Sequence, residues 1–377
     1  MTTPRLDVDL DRIEYNARAL VERLAVRGIS VTGVTKAALG SSEIASALLR
    51  AGVSGLGDSR IENIEAMRHA QVAAPMTLIR SPMLSQADRV VRSAEVSFNT
   101  ELTVLTRLSS AARQAGRSHA VMLVVELGDL REGIMPADLE DMVRAVLRLP
   151  NITLAGIGAN LACHGGVVPD ENNMAELSAL AESIERTFDM RLALVSGGNS
   201  ANLDWALSGG DTGRVNNLRL GEAILLGCEP LYRRPIDGLY TNAITLVAEV
   251  IESKTKPARP WGTIAQTAFG QAPWVAGSGR IPRAILALGH QDVDPSGIVP
   301  PSCIRILGAS GDHLIVSSEN GDPAVGDEIR FGLNYSALVR AMTSPFVLKV
   351  MNRQSVDNRR QCTLHDLPPL KRTPSTA

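Results

Sequence analysis

The chain has 377 residues, 45% of them hydrophobic and 21% charged, and its formal net charge is −2 at pH 7. This composition predicts a sizeable hydrophobic core and excludes a wholly disordered chain, and the length suggests one large domain or two. Because it has neither a long basic run nor an apolar run that could span a bilayer, we expect no nucleic-acid and no membrane partner. The first residues lack the apolar core of a signal peptide and the four cysteines form no CxxC pair, which predicts a cytoplasmic protein with free thiols and no metal site.

The first predicted elements lead to a single lysine. Residues 5–10 alternate as a short strand, and Asp11 is expected to cap a helix over residues 12–25. The next strand, residues 29–35, is rich in β-branched residues and ends at Lys36. Since α/β folds place reactive groups at strand ends, and partial desolvation lowers the pKa of an amine, Lys36 is a candidate Schiff-base lysine. The alternative is a lysine that simply points into water.

From residue 29 onward, eight predicted strands are each followed by a helical segment. The predicted strands are 29–35, 53–56, 76–80, 96–99, 119–126, 152–160, 191–195 and 214–219. The predicted helices are 41–51, 59–70, 85–93, 101–114, 136–148, 171–187, 199–207 and 222–226. Eight βα units in roughly two hundred residues predict an α/β fold, a (β/α)₈ TIM-like barrel. A doubly wound sheet is the competing assignment, but no GxGxxG motif opens the first helix.

Past Pro235 the sequence changes to short strands between Gly, Pro and Asp turns, without comparable helices. These strands are predicted at 242–252, 285–288, 304–307, 313–317 and 328–331. We therefore expect a C-terminal all-β domain over residues 235–350, after a barrel over residues 11–234. An N-terminal strand over residues 1–10 is expected to join the β-domain, and residues 351–377 to form a disordered tail.

Glycines and hydroxyl side chains follow the seventh predicted strand, in the segment VSGGNSAN. The glycines allow close approach of the backbone, and Ser196, Asn199 and Ser200 stand near the start of the next helix. Backbone N–H groups and hydroxyls in such a loop can hold a phosphate group. An ordinary glycine-containing turn is the alternative.

Charged residues also end other strands. Arg219 closes the eighth strand as a permanent cation, suited to a carboxylate, a phosphate or a ring nitrogen, and Gly221 can add a backbone amide. A surface salt bridge would explain Arg219 equally simply. After the fifth strand, Asp129, Arg131 and Glu132 share one loop, where they either neutralise one another or contact a ligand.

Two loops contain histidine next to other reactive groups. Cys163 and His164 suggest a thiol nucleophile, although neighbouring side chains on a strand point apart. In the predicted β-domain, His290 stands near Asp292 and Asp294 and could carry a proton at neutral pH. A surface turn is the alternative for this second loop.

A family resemblance connects these motifs. VTK, DSRIENI, LGDLREGI, GIGANL, SGGNS, NNLRLGEA, GHQDVD and the late Tyr335 occur in this order between about Leu6 and Val347. The chain thereby resembles the fold-type III pyridoxal-phosphate enzymes related to alanine racemase, most closely the ornithine racemase branch. The resemblance implies a homodimeric amino-acid racemase that interconverts L- and D-ornithine, or a related basic amino acid, by a two-base mechanism through an aldimine on Lys36.

The resemblance also implies roles for individual residues. Lys36 would bind pyridoxal 5'-phosphate and act as one base, and Arg219 would face the pyridine nitrogen. The residues implied to contact the cofactor are Lys36, Asn160, Ser196, Asn199, Ser200, Arg219, Gly221, Glu222 and Tyr335. Within this set, Ser200, the backbone at Gly221 and Glu222, and the Tyr335 hydroxyl would hold the phosphate. Arg131, Asp129 and Asp292 are the residues implied to contact the substrate.

The chain departs from alanine racemases at three places. Asn160 stands where they carry histidine, AALG follows Lys36 in place of their asparagine, tyrosine and glycine run, and GHQD replaces the GYAD motif that the partner subunit contributes. We therefore expect His290 to be the second base, with Cys163 or a water held by Asp292 as alternatives. The carboxylates that could receive the distal amine of a dibasic substrate are Asp129, Glu132, Asp58 and Asp292.

Other functions remain as alternatives. The enzyme could racemise alanine, lysine or serine. It could be a pyridoxal-phosphate carrier or regulator, although the single-barrel members of that kind lack a β-domain. A lyase similar to D-threonine aldolase would need a metal site, for which the β-domain offers only His290, His313 and Cys303.

Overall fold

The computed structural model describes residues 4–270, 278–319 and 321–353. Its strands are β1 Arg5–Asp9, β2 Ser30–Val34, β3 Gly55–Asp58, β4 Met76–Leu78, β5 Val96–Asn99, β6 His119–Val124, β7 Ile152–Gly158, β8 Leu194–Gly198, β9 Asn217–Leu220, β10 Ile244–Pro257, β11 Arg280–Leu286, β12 Ile298–Val299, β13 Ile304–Ala309, β14 Leu314–Ser318, β15 Glu328–Leu333 and β16 Leu348–Asn352. Its α-helices are α1 Leu10–Ala25, α2 Ser42–Arg50, α3 Ile61–His69, α4 Ala87–Ser93, α5 Leu102–Gln114, α6 Leu139–Val146, α7 Glu171–Phe188, α8 Leu203–Leu207, α9 Glu222–Leu226 and α10 Tyr335–Thr343. Within these ranges no helix is both long and apolar enough to cross a bilayer.

The eight strands β2–β9 form a closed barrel in sequence order, and all neighbouring strands are parallel. Strand β9 closes the barrel against β2, with Ser30 opposite Asn217. Each strand is followed by a helical segment, and the apolar side chains between the two layers are buried in one core. This arrangement confirms the predicted (β/α)₈ barrel, because only helical crossovers join parallel neighbours in this way.

The last two barrel strands lie later in the chain than predicted. Strand β8 runs through the glycines 197 and 198, which were expected to lie in the loop after the strand. The side chain of Asn216 accepts a hydrogen bond from Val195 N at 2.9 Å and donates one to Ala193 O at 3.0 Å, so residues before β9 bind the neighbouring strand through a side chain. Pairing across the barrel, rather than local propensity, therefore sets these boundaries.

Helix α1 begins at Leu10 rather than at Arg12, because Asp9 and not Asp11 is its N-cap. The Asp9 carboxylate accepts hydrogen bonds from Asp11 N at 3.1 Å and from Arg12 N at 3.0 Å. Asp11 lies in the first turn, where its negative charge favours the helix dipole.

The residues after the barrel form a mostly antiparallel sheet around the long strand β10, which pairs with β11, β15 and β1. Strand β1 lies between β10 and β16, so the N-terminal strand belongs to this sheet. Because β16 continues through Asn352, Met351 and Asn352 lie in a strand and not in the predicted tail. The rest of that predicted tail, residues 354–377, is outside the described residues.

The prediction of an all-β region overlooked one helix, α10. Asn334 caps it by accepting a hydrogen bond from Ala337 N at 2.9 Å. Its buried residues follow helical spacing and include Leu338 and Met342. The helix packs against the turn Lys36–Ala38 at the carboxyl end of β2, so this helix joins the sheet region to the mouth of the barrel.

Gly156 provides a test of the barrel packing. A Cβ at this position in β7 would lie 1.8 Å from the carbonyl oxygen of Leu194 in β8. We expect Gly156→Ala to destabilise the protein by at least about 2 kcal/mol, because the strands must separate to admit a methyl group. Thermal unfolding followed by circular dichroism measures the effect.

The matched control is Gly308→Ala in β13, where a Cβ meets no atom within 4 Å. This change should shift stability by less than about 0.5 kcal/mol. Equal melting temperatures for the two variants would contradict the tight pairing of β7 and β8.

Candidate active site

A cavity of about 550 Å³ opens at the carboxyl ends of the barrel strands, the size of a small-molecule site. Its lining includes residues that follow β2, β6, β7, β8 and β9, together with the first two residues of α10. The predicted site residues that line it are Lys36, Arg131, Glu132, Asn160, Cys163, Asn199, Ser200, Arg219, Gly221, Glu222 and Tyr335. Residues far apart in sequence therefore share one cavity because parallel strands end at the same rim.

Lys36 is partly buried in the turn Lys36–Ala38, directly after β2. Its Nζ lies 5.8 Å from the centroid of the Tyr335 ring. The preceding residue, Thr35, is buried and its hydroxyl donates a hydrogen bond to Asp58 Oδ2 at 2.8 Å. The backbone on the N-terminal side of Lys36 is thus anchored to the neighbouring strand β3, and the amine faces an aromatic ring across the cavity.

Arg219 in β9 is only 6% exposed. Its guanidinium donates hydrogen bonds to Ser196 Oγ at 2.6 Å, to the carbonyl oxygen of Ala159 at 2.8 Å and to Asn160 Oδ1 at 3.3 Å, and it lies 4.9 Å from the Phe98 ring centroid. These acceptors are all neutral, and burial lowers the pKa of Arg219 to about 10. The side chain is therefore still protonated at pH 7, as a buried cation without a carboxylate partner among the described residues.

Ser200 and Gly221 form a second part of the lining. Asn199 caps the turn Ser200–Asn202 by accepting a hydrogen bond from Ala201 N at 2.8 Å. Ser200 Oγ accepts one from Ala223 N at 3.2 Å, which joins this turn to the start of α9. A Cβ on Gly221 would lie 3.1 Å from Val34 Cβ, a tight contact, so glycine favours this close approach of the backbone to β2. The result is a concave, hydroxyl- and amide-lined surface.

Asn160 connects the two parts. Its Oδ1 accepts hydrogen bonds from Arg219 and, at 3.2 Å, from Asn199 Nδ2. Its Nδ2 is buried and has no hydrogen-bond partner within the described residues. A buried donor without an acceptor is costly, so this atom indicates that a ligand with an acceptor group belongs here.

Ser196 does not line the cavity of the described residues, and its contact with the cofactor stays a prediction. It is fully buried, its hydroxyl donates to Asn217 Oδ1 at 2.7 Å and it accepts the hydrogen bond from Arg219. Ser196 thus orients the guanidinium from behind, a role that depends on the pairing of β8 with β9.

Asp129 was predicted to bind substrate, but its carboxylate faces the protein backbone. It is 1% exposed and accepts hydrogen bonds from the backbone N–H groups of Cys163, His164 and Gly165 at 3.3, 3.0 and 2.9 Å. This side chain folds the loop that presents Cys163 to the cavity, and its contact with the substrate stays a prediction.

Asp292 is also engaged inside the protein. Its carboxylate accepts hydrogen bonds from Gly289 N at 3.0 Å and from Ser344 Oγ at 3.4 Å, and the residue is 7% exposed. It does not line the Lys36 cavity. Within its own chain Asp292 closes the turn that carries His290, and its contact with the substrate stays a prediction.

His290 lies outside the Lys36 cavity of its own chain. It lines a second cavity, of about 470 Å³, with Asp294 and Arg340, and its ring stacks on Phe269 with centroids 3.9 Å apart. Arg340 donates a hydrogen bond to the His290 carbonyl oxygen at 2.6 Å. Since Tyr335 and Ser336 line both cavities, the two openings share one wall.

The lining also contains cations that the sequence analysis missed. Arg80 follows β4, and the strand-end rule applied to Lys36 and Arg219 could have found it. Arg233 lies in the connection between α9 and β10, with a positive φ of 58°, and no motif signals its place. Together with Lys36, Arg131 and Arg219 the cavity has five cations and two carboxylates, Glu132 and Glu222, a formal excess of three positive charges.

The two carboxylates are in different states. Glu132 binds Arg131 in an ion pair, with Arg131 Nη2 2.6 Å from Glu132 Oε1. Glu222 receives no hydrogen bond from any described residue. Burial raises the pKa of Glu222 to about 7, against the opposing effect of the positive charges on Arg233 and Lys36.

Comparison with known proteins identifies the family. The sequence profile described as "Alanine racemase, N-terminal domain" matches residues 8–229. The chain belongs to the alanine racemase family. It is 38% identical over 353 residues to "Lysine racemase" of Thermotoga maritima, covering 93% of this chain and 99% of that protein. It is 36% identical over 350 residues to "Ornithine racemase" of Acetoanaerobium sticklandii, covering 92% and 99%.

Two solved structures share the fold. Alanine racemase from Streptomyces coelicolor A3(2) superposes with a TM-score of 0.73 at 20% identity and covers 92% of this chain and 97% of that one. D-threonine aldolase from Filomicrobium marinum gives a TM-score of 0.71 at 16% identity, with 90% and 88% covered. Both comparisons support the barrel with its added sheet.

The raised pKa of Glu222 predicts a pH-dependent stability. The pKa of this carboxyl group is higher in the folded state, about 7, than the ordinary value of 4.5. The folded state therefore becomes less stable relative to the unfolded state as the pH rises from about 4.5 to about 7. We therefore expect Glu222→Gln to be more stable than the unmodified chain at pH 8, by about 1–2 kcal/mol after allowance for solvent screening, and nearly equal to it at pH 5. Urea unfolding at both pH values measures the difference.

The control for this measurement is Glu176→Gln, the same chemical change at an exposed position on α7. It should show no pH-dependent gain. A gain of equal size at both pH values in Glu222→Gln would contradict a titrating buried carboxyl.

Proposed function

We propose that this protein is a pyridoxal-phosphate-dependent racemase that interconverts the L and D forms of ornithine or a related basic amino acid. The observation that carries the proposal is that Lys36 and the buried Arg219 line the same cavity. Arg219 has only neutral hydrogen-bond acceptors and no carboxylate partner among the described residues. Two relatives that match over nearly the whole chain are named for lysine and ornithine racemisation.

The cavity fits pyridoxal phosphate by charge and by hydrogen bonding. Its formal excess of three positive charges suits a phosphate monoester, which carries about two negative charges, and the carboxylate of one amino acid. The unpartnered Asn160 Nδ2 offers a donor next to Arg219. When bound, the cofactor supplies an electron-accepting ring that makes the Cα–H of an amino acid acidic.

The proposed cofactor contacts divide between the phosphate and the ring. Ser200, the backbone at Gly221 and Glu222, and the hydroxyl of Tyr335 hold the phosphate. Arg219 faces the pyridine nitrogen. Because the pKa of Arg219 stays near 10, it does not give its proton to that nitrogen at neutral pH. By keeping its proton, Arg219 would leave the ring nitrogen unprotonated, so the bound cofactor would be a moderate electron acceptor and a proton would return quickly to Cα.

The substrate contacts follow from the remaining cations. Arg131, held in place by Glu132, binds the α-carboxylate. Lys36 Nζ removes or returns the proton on one face of Cα. We propose that His290 of a partner subunit serves the other face in a homodimer, since within one chain His290 lines a different cavity. Cys163, which lines the Lys36 cavity of its own chain, is the alternative.

The racemase proposal is tested with L-ornithine and cofactor-loaded protein in D₂O. We expect D-ornithine with deuterium at Cα, detected by chiral chromatography and mass spectrometry. In Lys36→Ala the rate should fall by at least about 1,000-fold, because the only amine at this place in the cavity is removed. An unmodified protein that binds the cofactor but yields no D-product from any amino acid would refute the proposal.

Subunit mixing tests the proposed role of His290. Lys36→Ala and His290→Ala are each expected to be inactive alone, whereas a mixed dimer would combine an intact Lys36 with an intact partner His290. Random exchange should then restore roughly a quarter of the unmodified activity, since half of the dimers contain one complete site of two. His313→Ala, a change of histidine elsewhere in the same sheet region, is the control and should retain activity.

The same experiment separates the alternatives for the second base. Without recovery after exchange, His290 does not act across an interface. If Cys163→Ala alone then stops racemisation but still exchanges the α-proton with retained configuration, Cys163 is the second base.

A further inference from the structure

A basic amino acid brings a distal ammonium group into the cavity, in addition to the groups that every amino acid has. A buried ammonium group without an anionic partner is strongly disfavoured. Ornithine and lysine carry this group roughly 5–6 Å from Cα in extended form, four or five bonds of about 1.5 Å each, so a carboxylate that lines the Lys36 cavity is within its reach.

The carboxylates that the sequence suggested for this role have other partners. Asp58 is fully buried and accepts hydrogen bonds from Thr35 Oγ1, Arg60 N and Asn63 Nδ2 at 2.8, 2.9 and 3.0 Å. Asp129 and Asp292 bind backbone N–H groups, as described above. Glu132 is the ion-pair partner of Arg131. None of these four offers a free carboxylate to the cavity.

Glu222 is different. It is the first residue of α9, it lines the Lys36 cavity, and no described residue donates a hydrogen bond to its carboxylate. Arg233, whose charge acts on it, is exposed and forms no ion pair with it. The charge on Lys36 acts on it as well, so the carboxyl lies within electrostatic range of the reactive amine.

We propose that the Glu222 carboxylate accepts the distal ammonium group of a basic amino acid and thereby makes the site selective for such substrates. This inference rests on the proposed racemase function and deepens it. The carboxylate stays unpaired in the protein alone because its partner arrives with the substrate. Because the backbone of the same residue belongs to the proposed phosphate site, one residue would contribute its amide to the cofactor and its side chain to the substrate.

The test compares ornithine with L-norvaline, which has the same carbon chain but no distal amine. In cofactor-loaded protein we expect Glu222→Gln to lower kcat/KM for ornithine about 100-fold or more, because one partner of a desolvated charge pair is removed. The loss for norvaline should be much smaller, so the ratio of the two kcat/KM values reports on the distal ammonium group. Glu222→Asp, which keeps the charge, should recover part of the ornithine activity, and Glu176→Gln is the exposed control.

Binding is measured separately from turnover. Titration calorimetry with the cofactor-loaded Lys36→Ala variant, with and without Glu222→Gln, gives the affinity for ornithine and for norvaline. A selective loss of ornithine affinity supports the proposal. Equal losses for the two ligands, or an unchanged preference for ornithine, would overturn it.

Failure of the racemase proposal would look different. If the unmodified protein binds ornithine more tightly than norvaline, depends on Glu222 for that preference and yet produces no D-amino acid, then the recognition of the ammonium group stands and the racemase function does not.

Discussion

The buried guanidinium of Arg219 is the constraint on which the site depends. Removing a cation from water is costly, and here only neutral groups, Ser196, Asn160 and a backbone carbonyl, compensate for it. These groups come from β8 and from the two residues after β7, so the guanidinium is held only if the last three barrel strands close in the right register. The folded protein thus holds a buried positive charge at the cavity, where it can interact with a bound ligand.

The sheet region contributes to the same site through one helix. Helix α10 lies against the turn that begins at Lys36, and its first residue, Tyr335, faces the Lys36 amine at 5.8 Å from the ring centroid. Strand β1 precedes the barrel but pairs with β10 and β16, so the chain crosses between the two regions twice. This connection fixes the distance between the barrel mouth and the residues that narrow it.

Carboxylates near the cavity are divided between folding and ligand binding. Asp129 accepts three backbone N–H groups and Asp58 anchors the residue before Lys36, so both hold loops in place. Glu222 has no such partner and its pKa is raised to about 7 by burial. Ionisation of such a group at neutral pH makes the folded state less stable, so we expect the residue to be retained for function rather than for stability.

The sequence alone determined the barrel, because eight predicted strands each precede a helical pattern, and it identified Lys36 and Arg219, because strand ends share one rim. It also carried the family resemblance, since those motifs are local. Only the tertiary structure decided what Asp129, Ser196 and Asp292 do, because their hydrogen-bond partners or the cavity lie far away in sequence. Only the tertiary structure likewise shows that His290 lies outside the Lys36 cavity of its own chain and that Glu222 has no ion-pair partner among the described residues. The neighbours and the burial of these side chains depend on packing between distant segments, which no single segment encodes.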